Sequence, residues 1–459
     1  MALLMDVGFE TIGNAIIIGY DPHPVLVTDP WMVGGAYFQS WTFSHEIPEP
    51  QLRAIQKAQY VWISHGHPDH LSGPSLQLLK GKKILLAEHV GDRIHQGLAA
   101  QGYDVSILKD RTWTQLSNRI RILSIADYNQ DAILLIDLNG RLIINTNDAS
   151  DRGWGHFVRR EARRYKTSFL LALSGFNDAD MINYFDEDGK IILPQAAQKK
   201  PFGGAVARRT ERMGARYFIP FSSMHRYQRK DSLWANEYTT SLPDYPRGFE
   251  SKKCEILPAY IRYDCVNDRF EEIRPVEKKW QIVEPDAIGD SWNDPLESSD
   301  LSLIDSYFKS IHHLKNVLGF IRVRIGGKEH TVTLNRQKMD RGITFEAPRH
   351  SFMTAVQLEI FDDLLIGNFM KTTLHGSWDS SRLYPDFTPY VAKYADNGRA
   401  KTKEELREYF KAYRNRAVMD YVGKQFESKS SALFWSLVPV DSKMYQMGKI
   451  IRDRFKRIL

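Results

Sequence analysis

The chain has little cysteine: two residues in 459, Cys254 and Cys265. That is too few for a disulfide scaffold, and lone thiols fit a reducing compartment. The start, Met1-Ala2-Leu3-Leu4-Met5-Asp6, has neither the basic region nor the cleavage pattern of a secretory signal, so a cytoplasmic location is expected. Long hydrophobic runs are missing too. None approaches the ~20 residues of a membrane-spanning helix. No internal repeat or low-complexity tract is visible. Acidic excess is also absent: the net charge is +6 and the pI about 9.0, which favours anionic partners. No nucleic-acid module or aromatic–basic stripe accompanies that charge, so no nucleic-acid partner is expected. Much of the basic excess lies near the end, in Lys443, Lys449, Arg452, Arg454, Lys456 and Arg457. Apolar Met447, Ile450, Ile451, Phe455 and Ile458 recur there at helical spacing. Such a basic amphipathic helix docks on its own domain or touches an anionic membrane surface. Nothing specifies an oligomeric state.

What is present is ordinary globular material, 42% hydrophobic and 26% charged, long enough for two or three cores. Residues 1–272 alternate short β runs with helices. Strands are predicted at 15–18, 25–28, 60–64, 84–86, 120–125, 133–137, 142–146, 169–173 and 217–221, and helices near 74–79 and 203–213. Several strands end in residues unsuited to a core, among them Asp29, His65, Asp148 and His225. The class is α+β, in the order of an αββα sandwich that presents chemistry along one rim. Residues 273–300, rich in Pro, Glu, Asp and Ser without periodicity, read as a linker. A second α+β unit is expected over 301–459. It opens with a helix near 301–318, continues with a hairpin around Gly326-Gly327, and contains a helix opened by the capping box Thr402-Lys403-Glu404-Glu405.

The densest chemistry is His65-Gly66-His67-Pro68-Asp69-His70, directly after the apolar Tyr60-Val61-Trp62-Ile63. Three imidazoles and a carboxylate in six positions are costly at a strand end unless a cation sits among them. Neutral imidazole nitrogen with carboxylate oxygen is the donor set of divalent transition metals. His65 and His67, two apart, point the same way off an extended segment, while Asp69 and His70 lie beyond the Pro68 bend and can face a second ion.

This string resembles the H-x-H-x-D-H signature of the metallo-β-lactamase superfamily. The resemblance implies the αββα sandwich and two metals, one held by His65 and His67 and the other by Asp69 and His70. It further implies that Asp148, after the strand Leu142-Ile143-Ile144-Asn145-Thr146-Asn147, bridges both metals, and that His225 completes the second shell. Asp69 and Asp148 are thereby the expected catalytic carboxylates. Most members place a histidine between the first motif and the bridging Asp. Here that stretch is Ile125-Ala126-Asp127-Tyr128-Asn129-Gln130-Asp131-Ala132. Asp127 falls where the histidine should, with Asn129 and Asp131 as rivals. Asp131 reads as the cap of the following strand, so Asp127 is the expected ligand. A carboxylate there makes the shell richer in oxygen, which suits iron or manganese better than zinc; of two metal ions, iron is the one favoured, with zinc or manganese as alternatives.

Thr28-Asp29-Pro30-Trp31, Gly34-Gly35, Ser44-His45-Glu46-Ile47-Pro48, the run from Ile63 through Ser72 and, weakly, Phe361 to Gly367 are similar to the CMP-N-acetylneuraminic acid hydroxylase-like branch. That branch carries a Rieske domain, which needs two Cys and two His in paired motifs, and Cys254 and Cys265 offer none. The resemblance therefore implies a diiron oxygenase that hydroxylates a polar N-acyl or sugar-nucleotide-like substrate, with electrons from a separate ferredoxin-like donor. Asp-Pro-Trp also occurs in hydrolytic branches, so an ester, lactone or phosphodiester hydrolase is the alternative. A non-catalytic metal sensor is the third. Arg226 offers a guanidinium to an anionic small-molecule substrate, and Trp31, Trp41, Trp154 and Tyr184 are candidate pocket aromatics. Parts of 301–380 resemble sterol-carrier-type accessory domains.

Overall fold

The β-branched and aliphatic runs of the first 270 residues are buried on both faces and assemble into two sheets laid against each other. The computed structural model describes residues 6–149, 154–175, 181–392 and 399–425. The first sheet has eight strands in the order Arg269–Glu272, Ile261–Asp264, Gly8–Ile12, Ile16–Tyr20, Pro24–Thr28, Tyr60–Ile63, Lys83–Ala87 and Asp104–Leu108. Its first five strands pair antiparallel and the last four parallel. The second sheet has seven strands. Ile120–Ala126, Ala132–Leu138 and Arg141–Asn147 form an antiparallel meander, followed by parallel Thr167–Ala172, Tyr217–Pro220 and Glu255–Ile256, with Thr114–Gln115 at the other edge.

Phe9, Ile17, Leu26 and Trp62 of the first sheet share one core with Ile122, Leu135, Ile143 and Phe169 of the second. The alternate residues Ile16, Ile18, Val27 and Val61 face outward and pack with Ile55, Leu76 and Leu98 of the helices Glu49–Lys57, Gly73–Gln77 and Arg93–Ala100. The helices Gly155–Ala162 and Gly203–Met213 cover the second sheet through Val158 and Val206. The layers are thus helix, sheet, sheet, helix, as the strand periodicity predicts. The parallel strands of both sheets end on one rim, so Asp29, His65 and Asp148 come together there.

The division at 272 and 301 is crossed by the chain. A third sheet runs Ile191–Ile192, Tyr184–Phe185, Lys371–His375, Gly342–Glu346, Phe320–Ile325 and Lys328–Thr333. Its Tyr184–Phe185 strand comes from the first half and pairs parallel with Lys371–His375. The predicted hairpin is present, closed by Gly326 and Gly327 at φ +58° and +71°, a turn that side chains with Cβ adopt poorly. Segment 273–300, expected as a linker, contains the short 3-10 turn Pro285–Ile288 and the start of helix Ser298–Ser310, and it is laid down on the first unit. Glu46 N donates to Val276 O (2.9 Å), Lys278 N to Ser44 O (3.0 Å) and Val283 N to Gln228 O (2.9 Å). Fully buried Arg229 then clamps it, pairing with Asp290 at 2.7 Å and Asp231 at 2.8 Å beneath the Phe369 ring.

Helix Lys403–Arg416 opens with the expected capping box between Thr402 and Glu405. It lies across the sandwich, where Val90 N donates to Tyr413 Oη (2.8 Å) and Phe410 meets Tyr128 edge-on at 5.2 Å. The basic segment 443–458 lies outside the described residues. Both cysteines are buried and free. Among the described residues no helix is long and apolar enough to cross a membrane.

Candidate metal centre

The turn after Tyr60–Ile63 carries the four motif side chains into the rim. His70 N and Leu71 N both donate to His67 O, at 3.0 and 2.7 Å, which folds the motif back on itself. His65, His70 and Asp148 bring donor atoms within 4.8 Å of one another. Asp148 Oδ2 is 3.8 Å from His65 Nε2 and 3.5 Å from His70 Nε2, so one carboxylate faces both imidazoles. His67 Nδ1 lies 2.6 Å from His65 Nε2, and Asp69 Oδ2 lies 3.3 Å from His70 Nε2. Nitrogens aimed at one another, with carboxylates around them in a buried pocket, are the arrangement a divalent cation satisfies. The donor set fits a metal.

The electrostatics split the histidines. Burial together with the neighbouring His65 holds His67 well below the usual imidazole range. Burial also pulls His70 down, but Asp69, Asp148 and Asp29 outweigh it and hold His70 well above that range. Asp69 and Asp148 are kept low despite burial, chiefly by His70. The pocket is thus ready to hold positive charge against two ionised carboxylates.

Asp131 sits beside His65, its Oδ1 3.7 Å from His65 Nε2. Asp127, the residue expected there, closes the hairpin between Ile120–Ala126 and Ala132–Leu138. Its Oδ1 accepts from Asn129 N at 2.7 Å and its backbone N donates to Asp131 O at 3.0 Å. The Asx turn engages one oxygen of Asp127, and the strand that Asp131 was expected merely to cap carries its carboxylate to the histidine. His225, in a strand paired with Trp41–Phe43, lies flush on the Trp41 indole at 3.4 Å and 4°. Asn14 ties that strand to the motif, accepting from Met224 N at 2.8 Å and donating to Asp69 Oδ2 at 2.9 Å.

Asp29, a polar strand end within the Thr28-Asp29-Pro30-Trp31 string, carries no expected contact with the motif in the sequence. It is fully buried, accepts from Ser64 N (2.7 Å), Ser64 Oγ (2.9 Å) and Asn147 Nδ2 (2.6 Å), and lies 3.1 Å from His70 Nδ1. It therefore orients His70 from behind, as outer-shell carboxylates do for metal-binding histidines. Asn14 and Tyr37 were missed, because a single Asn or Tyr carries no spacing signal. Of the candidate pocket aromatics, Trp31 and Trp154 are buried core and Tyr184 belongs to the third sheet. Arg226 pairs loosely with Glu277 at 3.3 Å. Both line a cavity of about 760 Å³ with His45, His225, Tyr245 and Trp280.

Two facing sheets between helices, with His-x-His-x-Asp-His at the rim where the parallel strands end, have the layered architecture and signature string that the metallo-β-lactamase resemblance implies. The sequence is similar to cytidine monophosphate-N-acetylneuraminic acid hydroxylase. It is 24% identical over 284 residues to the Cricetulus griseus protein, covering 58% of this chain and 50% of that one. It is 26% identical over 299 residues to the inactive hydroxylase of Homo sapiens, covering 62% and 59%. The chain spans about half the length of the curated relatives it matches. No family profile matches it. Among solved structures, CmlA, a diiron beta-hydroxylase from Streptomyces venezuelae, aligns at 11% identity and TM-score 0.37 over 58% of this chain and 54% of that one. At that score the likeness adds nothing to the fold, which rests on the sheet order.

Proposed function

We propose that this protein is a dinuclear metalloenzyme, and that its reaction is a diiron-dependent hydroxylation of a polar, anionic small molecule. The observation that carries the metal centre is the convergence of His65, His70 and Asp148. In this reading His65, His67 and Asp131 hold one ion, Asp69, His70 and His225 the other, and Asp148 lies between them. Asp131 replaces Asp127 in the assignment because of its 3.7 Å approach to His65. The preference for iron rests on this carboxylate, which stands where most of the superfamily has imidazole. A bound iron pair would supply dioxygen activation with electrons from an external donor, whereas zinc would supply a Lewis acid and a hydroxide.

The chain's own residues do the rest. The cavity beside His225 receives the substrate, where Arg226 offers a fork to an acidic group and Trp280 a flat apolar face. Asp29 and Asn147 keep His70 in one orientation, and the sheets exclude water from the ligand side. The similarity to the sialic-acid nucleotide hydroxylases supports an N-acyl sugar nucleotide as the first substrate to test. Metal analysis of protein purified without added metal should find about two irons per chain. Turnover of that compound should require air and a reductant such as reduced ferredoxin. Zinc alone, with hydrolysis of a chromogenic ester or phosphodiester under anaerobic conditions, would establish the hydrolase instead.

A further inference from the structure

Residues 37–39 form a loop that the backbone resists. Tyr37, Phe38 and Gln39 have φ of +50°, +57° and +65° in succession. Three consecutive side-chain-bearing residues in the left-handed region persist only where the surroundings over-determine them, and such strain gathers at functional sites. Here it is held from several sides. Arg229 Nη1 donates to Phe38 O (3.2 Å), Gln228 Nε2 to Gln39 O (3.1 Å) and Ser40 Oγ to Gly367 O (2.6 Å), while Phe38 meets Phe369 edge-on at 6.0 Å. Two of these holds come from Gly367 and Phe369, far along the chain.

What the loop delivers is Tyr37. Its buried hydroxyl donates to Asp69 Oδ1 at 2.8 Å, while Asn14 donates to Asp69 Oδ2 at 2.9 Å. Both carboxylate oxygens are thus directed from outside the motif. The Tyr37 ring lies 4.5 Å from Trp41, which stacks flush on His225. Tyr37 therefore meets Asp69 directly through its hydroxyl and His225 only by way of the Trp41 ring, and these ligands of the proposed second ion come from segments about 155 positions apart in the sequence.

We propose that Tyr37 is a positioning residue for the second metal: with Trp41 it fixes Asp69 against His225 and so sets the occupancy of that half of the site, without touching the ion. This rests on the two-metal reading above. The C-terminal half takes part through Gly367 and Phe369, which hold the loop.

The test is equilibrium metal binding by chelator competition, with Co²⁺ as probe and its visible spectrum as a second readout. The full chain is compared with Tyr37→Phe, which keeps the ring and removes the hydroxyl. The second Co²⁺ should bind about 10- to 100-fold more weakly, the scale for losing an outer-shell partner, with the first unchanged and the second ion's band altered. Trp41→Phe, which shrinks the flush stack, should weaken the same ion, and it carries the test if Tyr37→Phe does not fold. A merely structural role would lower Tm and leave the ratio of the two affinities and the spectrum alone. Two Co²⁺ in the parent with an unchanged second affinity in the folded variants overturns the proposal and leaves the two-metal reading standing. Fewer than two in the parent overturns both.

Discussion

Asp29→Asn is the substitution whose outcome the structure constrains most tightly. The side chain keeps its shape and loses its charge, in a fully buried position where every neighbour is a donor or an imidazole. Oδ1 accepts from Ser64 N at 2.7 Å, and Oδ2 from Ser64 Oγ at 2.9 Å and Asn147 Nδ2 at 2.6 Å, with His70 Nδ1 3.1 Å away. Whichever way the new amide turns, its NH₂ meets a donor. Hydrogen bonds to a charged group are worth about 1.5–3 kcal/mol each. The loss of one or two, partly offset by removing a buried charge, is about 4 kcal/mol. For a unit of this size each kcal/mol moves Tm by roughly 2–4 °C, so the metal-free protein should melt about 10 °C lower. His70 also loses its orienting partner, and metal affinity should fall about 10- to 100-fold. Thermal unfolding followed by circular dichroism without metal, and chelator competition with it, separate the two effects. A metal-free Tm within about 3 °C of the parent, with affinity unchanged, would refute the reasoning.

Two further outcomes follow from the same geometry. Asp131→Asn should weaken the first metal by more than the ~100-fold ceiling for an outer-shell partner, whereas Asp127→Asn should leave it within about threefold; metal stoichiometry under limiting chelator distinguishes them, and the reverse order would restore Asp127 as the ligand. His89, whose Nε2 lies 3.2 Å from Ser64 O, is pulled down by burial to about 4. Because its folded pKa is depressed, it contributes stability that is full above about pH 6.5 and lost as pH falls toward 4. The metal-free parent should therefore lose up to about 3 kcal/mol over that window from this group alone. His89→Gln should show a shallower fall in Tm, and an identical slope would remove His89 from the account.

The layered fold was legible because its cause is local. Alternating and continuous apolar runs of four to seven residues can bury themselves only as paired strands, and polar residues ending several of them mark the rim. The histidine motif was legible for the same reason: its members lie within six positions, so one turn sets their mutual geometry. Helix starts such as Thr402 and the Gly326-Gly327 turn were likewise decided by short-range chemistry.

Tertiary structure decided everything that depends on distant segments meeting. Asp127 and Asp131 are both carboxylates at one hairpin, and only the register of Ile120–Ala126 against Ala132–Leu138 brings Asp131 to His65. Asp29 became a partner of His70 because two parallel strands place Thr28 opposite Trp62. Tyr37 and Asn14 meet Asp69 across 32 and 55 positions, separations that leave no periodicity in a sequence. The division into two units was read from composition, yet a strand from the first half completes the third sheet and Arg229 binds the supposed linker. Composition reports whether a segment can form regular structure, whereas its attachment is set by hydrogen bonds and charges contributed from elsewhere.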